Sequence, residues 1–236
     1  MYKAILAYDG THYFGWQKTR SGPSIQEELQ NALTRITGES PLPEAASRTD
    51  RGVHAMGQVI QFSLQKSIEP QKLLHSLNAV LPQDIRLLQL LPCQFHPTLD
   101  AIGKEYIYRL TLGPVQDPIQ RLYAWQVHVP LNLPKMEAAA QELIGTHDFT
   151  AFANEEEKDP ICTLESISFK DALEISIKGN RFLYKMVRNI VGALVYIGSG
   201  KLASLTPILA SRDRKQAAIT APAHGLHLHQ VLYPLN

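Results

Sequence analysis

The chain has 236 residues, of which 44% are hydrophobic and 19% charged, and its formal net charge is +1. This length fits one large domain or two small ones, and the composition is typical of a globular protein with a sizeable core. A charge so close to neutral argues neither for nor against binding to nucleic acid. Any basic surface must therefore be local.

Several protein classes are disfavoured by what the chain lacks. Its most apolar stretch, residues 190–198, is too short to span a membrane, and the apolar run near Met1 is too short for a signal peptide. Cys93 and Cys162 lie far apart, outside any ligand-spaced cluster. We therefore expect a protein of the reducing cytoplasm, without a disulfide framework or a structural metal. His227 and His229 share a strand face, but no third ligand is spaced for a metal.

The first half of the chain alternates strands and helices. Ser24, followed three residues later by Glu27, predicts a capping box at the start of a helix that ends near Gly38. Hydrophobic periodicity and turn residues predict the other elements. These are strands over 2–8, 53–64 and 85–92 and a helix over 70–81, with a loop around Asp50.

The second half also alternates strands and helices. "KEYIYRLTL" predicts a strand over 104–112, and "PKMEAAAQELIG" predicts a helix over 134–145. Two strands are predicted within "ESISFKDALEISIKG", a long apolar helix over 181–200, and a last strand over 224–233. Strands and helices without strict βαβ alternation favour an α+β fold with a central antiparallel or mixed sheet. The two halves, 1–100 and 101–236, suggest two α/β subdomains of ferredoxin-like strand–helix order with a cleft between them.

Asp50 is the first candidate functional residue. It lies between Arg48 and Arg51 in "SRTDRG", and Gly52 permits a sharp turn or close approach to a ligand. A loop between two strands is a common place for function. A surface salt bridge is the alternative interpretation of this loop, because Asp–Arg pairs are common and contribute little.

Arg188 is the second candidate, because it lies at the margin of the apolar stripe of a largely buried helix. A charge there is costly unless it is paired with an acid, and no Asp or Glu occurs between residues 175 and 212. Its partner must come from elsewhere in the sequence, and Asp50 is a candidate. The alternative is an arginine that only ties the helix to a loop.

Tyr106 and Tyr108 share a strand face, where aromatic residues belong to the core more often than to a site. A tyrosine beside a cleft could nevertheless stack on a base. The chain contains no Walker loop, nucleophile elbow or dinucleotide fingerprint, which disfavours the common nucleotide-driven reactions.

These motifs together resemble the tRNA pseudouridine synthase A family. "SRTDRGVHA" is similar to that family's active-site motif, usually G-R-T-D-A-G-V-H-A. "YDGTHYFGWQ", "PSIQEELQNAL", "LNAVLPQDI", "GKEYIYRL", "GTHDFTAFA", "FLYKMVRNIVGAL" and "HGLHLHQVLY" resemble further family segments in the same order. The resemblance covers nearly the whole chain.

The resemblance implies an isomerase that converts uridine to pseudouridine at positions 38, 39 and 40 of the tRNA anticodon stem-loop. It assigns Asp50 as the essential carboxylate and Arg188 as its basic partner. Tyr106 would pack against the target uracil, and Arg48 would take the place of the flipped-out base. It also implies a homodimer with no cofactor or metal. The fold would be two α/β subdomains that share an extended, mostly antiparallel sheet, with a central RNA-binding cleft.

The chain departs from the family pattern at several points. Arg51 replaces a small residue, Ser47 replaces glycine, and "FHPTLDA" replaces a stretch that often carries an arginine. Binding of tRNA also needs contacts to phosphates. Besides Arg51, the candidates for these contacts are Lys18, Arg20, Arg212, Arg214 and Lys215. Two alternatives remain: a non-catalytic tRNA-binding module, and a nucleoside hydrolase with Asp9 or Asp148 as a second acid.

Overall fold

The computed structural model describes residues 1–156, 158–171 and 173–234. The chain divides into two compact units. Unit 1 comprises Met1–Ile102 and the C-terminal segment from His227, and unit 2 comprises Gly103–Leu226. Each unit combines helices with a mostly antiparallel sheet, which confirms the predicted α+β class.

The helices and strands alternate irregularly along the chain. Up to residue 102 they are β1 (Tyr2–Tyr8), α1 (Ile25–Thr37), β2 (Glu44–Ala45), β3 (His54–Phe62), α2 (Pro70–Val80) and β4 (Ile85–Pro92). After it come β5 (Gly103–Leu112), β6 (Trp125–Val127), α3 (Leu133–Gln141), β7 (Gly145–Asp148), β8 (Ile161–Lys170), β9 (Glu174–Gly179), α4 (Met186–Gly198), α5 (Thr206–Ser211) and β10 (Leu226–Leu232).

The sheet of unit 1 is ordered β4-β1-β3-β10, and the short β2 also pairs with β3. β1 runs antiparallel to β3 and β4, whereas β10 runs parallel to β3 and places His227 opposite His54. Alternate residues of β1 are buried, as a two-residue strand period requires. α1 contributes Ile25, Leu29 and Leu33 to the core. Ser24 caps this helix as predicted, since its side chain accepts a hydrogen bond from the backbone N–H of Glu27.

The sheet of unit 2 is ordered β6-β5-β9-β8-β7. All its strand pairs are antiparallel except β5 with β6. Tyr106, Tyr108 and Leu110 of β5 are buried on one face, as their alternation predicts. α4 packs beside α3, and eleven of its residues are buried, including the polar Asn189.

Four details differ from the sequence-based expectations. The helix predicted over 134–145 ends at Gln141. The long helix begins at Met186 and not at Arg181, because Lys185 adopts a left-handed conformation with φ of 60° that interrupts it. The sequence did not predict the short elements β2, β6, β7 and α5, because they are too brief to show a clear hydrophobic period. The last strand pairs with β3 of unit 1, although it lies at the end of the second half of the sequence. None of the helices in the described part of the chain is both long and apolar enough to cross a membrane.

Candidate active site

The segment that leads into Asp50 is anchored by buried polar side chains. The hydroxyl groups of Tyr8 and Thr49 lie 2.7 Å apart, which ties the segment to β1. The side chain of Gln58 on β3 donates to the carbonyl oxygen of Ser47 at 2.6 Å and accepts from its backbone N–H at 3.3 Å. Both Ser47 and Thr49 are buried, whereas Asp50 is half-buried. The carboxylate is thus presented at the end of a fixed segment.

The backbone turns sharply after Asp50. The N–H of Val53 donates to the carbonyl oxygen of Asp50 at 3.1 Å, which closes a four-residue turn. Gly52 is the third residue of this turn and has φ of 76°, a conformation that favours glycine. The turn predicted at Gly52 is therefore confirmed.

A second loop, residues 9–24, packs against the Asp50 loop backbone to backbone. The N–H of Trp16 donates to the carbonyl oxygen of Thr49 at 3.0 Å, and the N–H of Gly52 donates to that of Tyr13 at 3.3 Å. A Cβ atom at Gly15 would lie 2.4 Å from the carbonyl oxygen of Thr49, and Gly15 has φ of 96°. Only glycine permits so close an approach, so the two loops fit together as one rigid support for Asp50.

His54 follows the turn and extends this support. Its Nδ1 accepts a hydrogen bond from the N–H of Gly10 at 3.1 Å and lies 3.1 Å from a carboxylate oxygen of Asp9. The ring stacks on that of His227, with the centroids 4.7 Å apart. His54 and His227 are 3% and 4% exposed. They therefore link the two loops to β10 from within the core.

The two arginines beside Asp50 are both exposed. The guanidinium carbon of Arg51 lies 4.2 Å from the ring centroid of Phe14, a cation–π contact across the two packed loops. Phe14 was not singled out by the sequence analysis, although its place in an aromatic- and glycine-rich loop is the signal that could have found it. Lys18 and Arg20 lie on the same loop, with Lys18 paired to Glu27 at 3.0 Å.

Tyr106 lies in unit 2, on β5. It is 6% exposed, and its ring meets that of Phe182 edge to face at 5.1 Å. Tyr108 is fully buried, and its hydroxyl group donates to the carbonyl oxygen of Pro222 at 2.8 Å. Burial raises the pKa of the Tyr108 hydroxyl, and the positive charge of Arg188 opposes this in part. Tyr108 is thus a core residue, whereas Tyr106 stays the candidate for contact with a base.

Arg188 also lies in unit 2, in the first turn of α4. Its Nε donates to the carbonyl oxygen of Ala221 at 2.8 Å, and the N–H of Ala221 donates to the carbonyl oxygen of Arg188 at 3.1 Å. Burial lowers the pKa of the nearby His224 imidazole. Arg188 lowers it further, while a hydrogen bond with the backbone of Ala124 raises it. The guanidinium is held firmly by its own unit, and its pairing with Asp50 stays a prediction.

The three basic residues within 212–215 differ in their contacts. Arg212 is 69% exposed and pairs with Asp148 at 3.0 Å, and Lys215 is exposed. Arg214 instead donates hydrogen bonds within unit 2, to Asn154 at 3.1 Å, Asn189 at 2.9 Å and Thr220 at 2.8 Å. The phosphate contacts predicted for all three stay predictions.

The two acids considered for a hydrolase both have structural contacts. Asp9 accepts from the N–H and the hydroxyl group of Thr11, and Asp148 does the same with Thr150. Burial opposes ionisation of Asp148, but the bonds from Thr150 and the charge of Arg212 together lower the pKa of its carboxyl group. Neither acid belongs to the Asp50 loop. Within the described ranges, no group of three His, Cys, Asp or Glu side chains is placed to hold a metal ion.

Comparison with known proteins identifies relatives over nearly the whole chain. The sequence profile of a family described as tRNA pseudouridine synthase matches residues 4–95 and 139–234. The protein tRNA pseudouridine synthase A 2 of Protochlamydia amoebophila (strain UWE25) is 50% identical over 98% of this chain and 93% of its own length. Proteins named tRNA pseudouridine synthase A from Thermoanaerobacter sp. (strain X514) and Bacillus pumilus (strain SAFR-032) are 42% and 41% identical. They cover 97% and 98% of this chain and, in both cases, 98% of their own length.

Proposed function

Since the chain belongs to the tRNA pseudouridine synthase family, we propose that it isomerises uridine to pseudouridine at positions 38, 39 and 40 of the tRNA anticodon stem-loop. Asp50 is the essential carboxylate. The observation that carries this assignment is the construction of the Asp50 loop. A half-buried acid lies on a turn fixed by β1, β3 and a second loop, so the backbone holds it in a defined position.

The reaction explains why one acid suffices. The N1–C1′ bond breaks, the uracil turns, and a C5–C1′ bond forms. The proton from C5 is lost to solvent and N1 gains one, so the atoms balance. The energies of the broken and the formed bond are nearly equal, so no external energy source is needed. The carboxylate can act by either of two routes: attack on C1′ or removal of a proton from the sugar. A water molecule activated by a second acid would instead hydrolyse the bond.

Three other residues complete the proposed machinery. Arg188 pairs with Asp50 and aims its carboxylate. Tyr106 stacks on the free uracil while the base rotates, and its hydroxyl group assists the loss of the C5 proton. The target base must leave the helical stack, which costs a few kcal/mol. Arg48 occupies the gap, a role that its exposed position beside Asp50 supports.

The same proposal includes how the enzyme binds tRNA, where it works and in which oligomeric state. Lys18, Arg20, Arg51, Arg212, Arg214 and Lys215 are the proposed contacts to tRNA phosphates. A local basic surface of this kind is what a chain of near-neutral net charge requires to bind a polyanion. The enzyme works in the cytoplasm as a homodimer, and its reaction requires no cofactor.

Tritium release from tRNA that carries [5-³H]uridine tests the chemistry and the acid together. The wild type should release tritium, and mapping should place pseudouridine in the anticodon arm. Asp50→Asn should bind the same tRNA but release tritium at least about 1,000-fold more slowly, because the amide is neither a nucleophile nor a base.

Asp100→Asn is the matched control for this experiment. Asp100 is an exposed acid of the same unit whose carboxylate accepts a hydrogen bond from the backbone N–H of His96. This variant should release tritium at the wild-type rate. Tight binding without release by the wild type would favour the tRNA-binding module, and free uracil among the products would indicate a hydrolase.

A further inference from the structure

Asn189 is a fully buried amide beside Arg188 on α4, and the structure satisfies each of its polar groups. Its Nδ2 donates to the carbonyl oxygen of Phe152 at 2.6 Å and to Oδ1 of Asn154 at 2.7 Å. Its Oδ1 accepts from Nη2 of Arg214 at 2.9 Å and from the hydroxyl group of Thr220 at 2.6 Å. An amide can make four such bonds, so this side chain is the centre of a complete polar network.

Arg214 connects that network to the segment 217–221. Besides Asn189, its Nε donates to Oδ1 of Asn154 at 3.1 Å and its Nη2 to the hydroxyl group of Thr220 at 2.8 Å. Its Nη1 donates to the carbonyl oxygen of Ala218 at 3.0 Å. The planar guanidinium therefore bonds to Ala218 and Thr220 of the segment and, through Asn189, ties them to α4.

The same segment holds Arg188. It lies against α4 so closely that a Cβ atom at Gly192 would be 1.8 Å from the carbonyl oxygen of Ile219. Two residues later, the carbonyl oxygen of Ala221 accepts from Nε of Arg188 at 2.8 Å, and the N–H of Ala221 returns a bond at 3.1 Å. A bond at Nε fixes the plane of a guanidinium. The direction of the Arg188 head group thus depends on where the segment 217–221 is held.

We propose that Arg214 is a positioning residue for Arg188: it clamps the segment 217–221 against α4, and through the carbonyl group of Ala221 it sets the orientation of the Arg188 guanidinium. This inference rests on the proposed function, in which Arg188 aims the carboxylate of Asp50. It gives Arg214 a positioning role in addition to the phosphate contact proposed above, which Arg212 and Lys215, its exposed neighbours in the sequence, do not share.

Arg214→Lys removes the clamp but keeps the positive charge that a phosphate contact requires. Lysine keeps the positive charge but is a compact ammonium group that cannot reach Asn154, Ala218 and Thr220 together. We expect kcat for pseudouridine formation to fall about 10- to 100-fold, because small displacements of a catalytic group cost rates of this size. The Kd for tRNA and its dependence on salt should stay unchanged. Arg109→Lys, which alters an arginine paired with Glu174 in the same unit, should keep the wild-type kcat.

A double-mutant cycle with Arg188→Lys then tests whether Arg214 acts through Arg188. If it does, Arg214→Lys should slow single-turnover isomerisation by less than about 3-fold in the Arg188→Lys background, against 10- to 100-fold alone. Independent, multiplicative losses would overturn the proposal, as would a weaker Kd with a flatter salt dependence in Arg214→Lys. Failure of the proposed function would look different, because the wild type itself would form no pseudouridine.

Discussion

Lys104 precedes Tyr106 by two residues on β5, so the two side chains lie on the same face of the strand. The amine is half-buried, and this burial, with a smaller effect of the charge on Arg181, lowers its pKa to about 8. In the sequence, Lys104 is the first residue of the predicted strand "KEYIYRLTL". The structure shows that its charged form is disfavoured beside a proposed substrate-binding tyrosine.

This burial predicts a pH-dependent effect of Lys104→Met on stability. At pH 7 both folded and unfolded chains hold the proton, and the folded protein carries the cost of the half-buried charge. The variant should therefore be more stable by about 1 kcal/mol, or roughly 3 °C in Tm. Between pH 8 and 10 the unfolded wild type binds more protons than the folded one, so wild-type stability rises relative to the variant.

Thermal unfolding at pH 7 and pH 10 checks this expectation, and the advantage of Lys104→Met should be largely lost at the higher pH. Lys178→Met is the control, because the side chain of Lys178 on β9 is 37% exposed and its amine is paired with Glu165 at 2.6 Å. The Lys178→Met variant should be no more stable than the wild type at pH 7. An equal advantage of Lys104→Met at both pH values would contradict the assignment.

At the scale of elements, the Asp50 loop takes its shape from the loop 9–24 as well as from its own sequence. Gly15 and Trp16 contact the backbone around Thr49, and Tyr8 and Gln58 hold the same segment from two strands. The motif "SRTDRG" predicts the turn at Gly52 and the candidate acid. It contains no information on the second loop, whose contacts are between residues more than thirty positions apart.

Gly15→Ala should therefore damage both stability and activity. The new Cβ would lie 2.4 Å from the carbonyl oxygen of Thr49 at a residue with φ of 96°. We expect a loss of about 2 kcal/mol in the free energy of unfolding and a fall in kcat of about 10-fold or more, as Asp50 is displaced.

Chemical denaturation and tritium release measure these two effects. Gly38→Ala is the matched control, since Gly38 has φ of 75° at the end of α1 but no atom within 4 Å of a new Cβ. It should cost about 1 kcal/mol through backbone strain alone, with no loss of kcat. Wild-type kcat in Gly15→Ala would show that the second loop does not position Asp50.

At the scale of the whole molecule, the chain order and the spatial order of elements differ. Unit 1 takes its last strand, β10, from the C-terminal segment, so the whole of unit 2 lies between β4 and β10 in the sequence. The proposed residues are distributed accordingly, with Arg48 and Asp50 in unit 1 and Tyr106 and Arg188 in unit 2. The proposed activity therefore depends on both units.

The proposed homodimer can be tested on the intact protein. Light scattering coupled to size exclusion should give the mass of two chains of 26.4 kDa. The mass of a single chain across a hundredfold dilution from micromolar concentrations would contradict this proposal.

The sequence by itself determined the elements with a strong period and the residues of the motif. α1, α2, β4 and β5 lie within a residue or so of their predicted bounds, because capping residues, proline and hydrophobic spacing act locally. Asp50, Tyr106 and Arg188 are proposed as site residues from their neighbours in the chain and from the resemblance of their motifs, and their roles stay predictions. The α+β class followed from the order of these elements.

Only the tertiary structure decided what depends on contacts distant in sequence. It placed β10 beside β3, Gly15 against Thr49 and Phe14 beneath Arg51. It also showed that Arg214, one basic residue among three in "SRDRK", is engaged by Asn154, Asn189 and Thr220 while Arg212 is exposed. Hydrogen bonds and burial depend on distances in space, and the local sequence of a charged residue does not specify them.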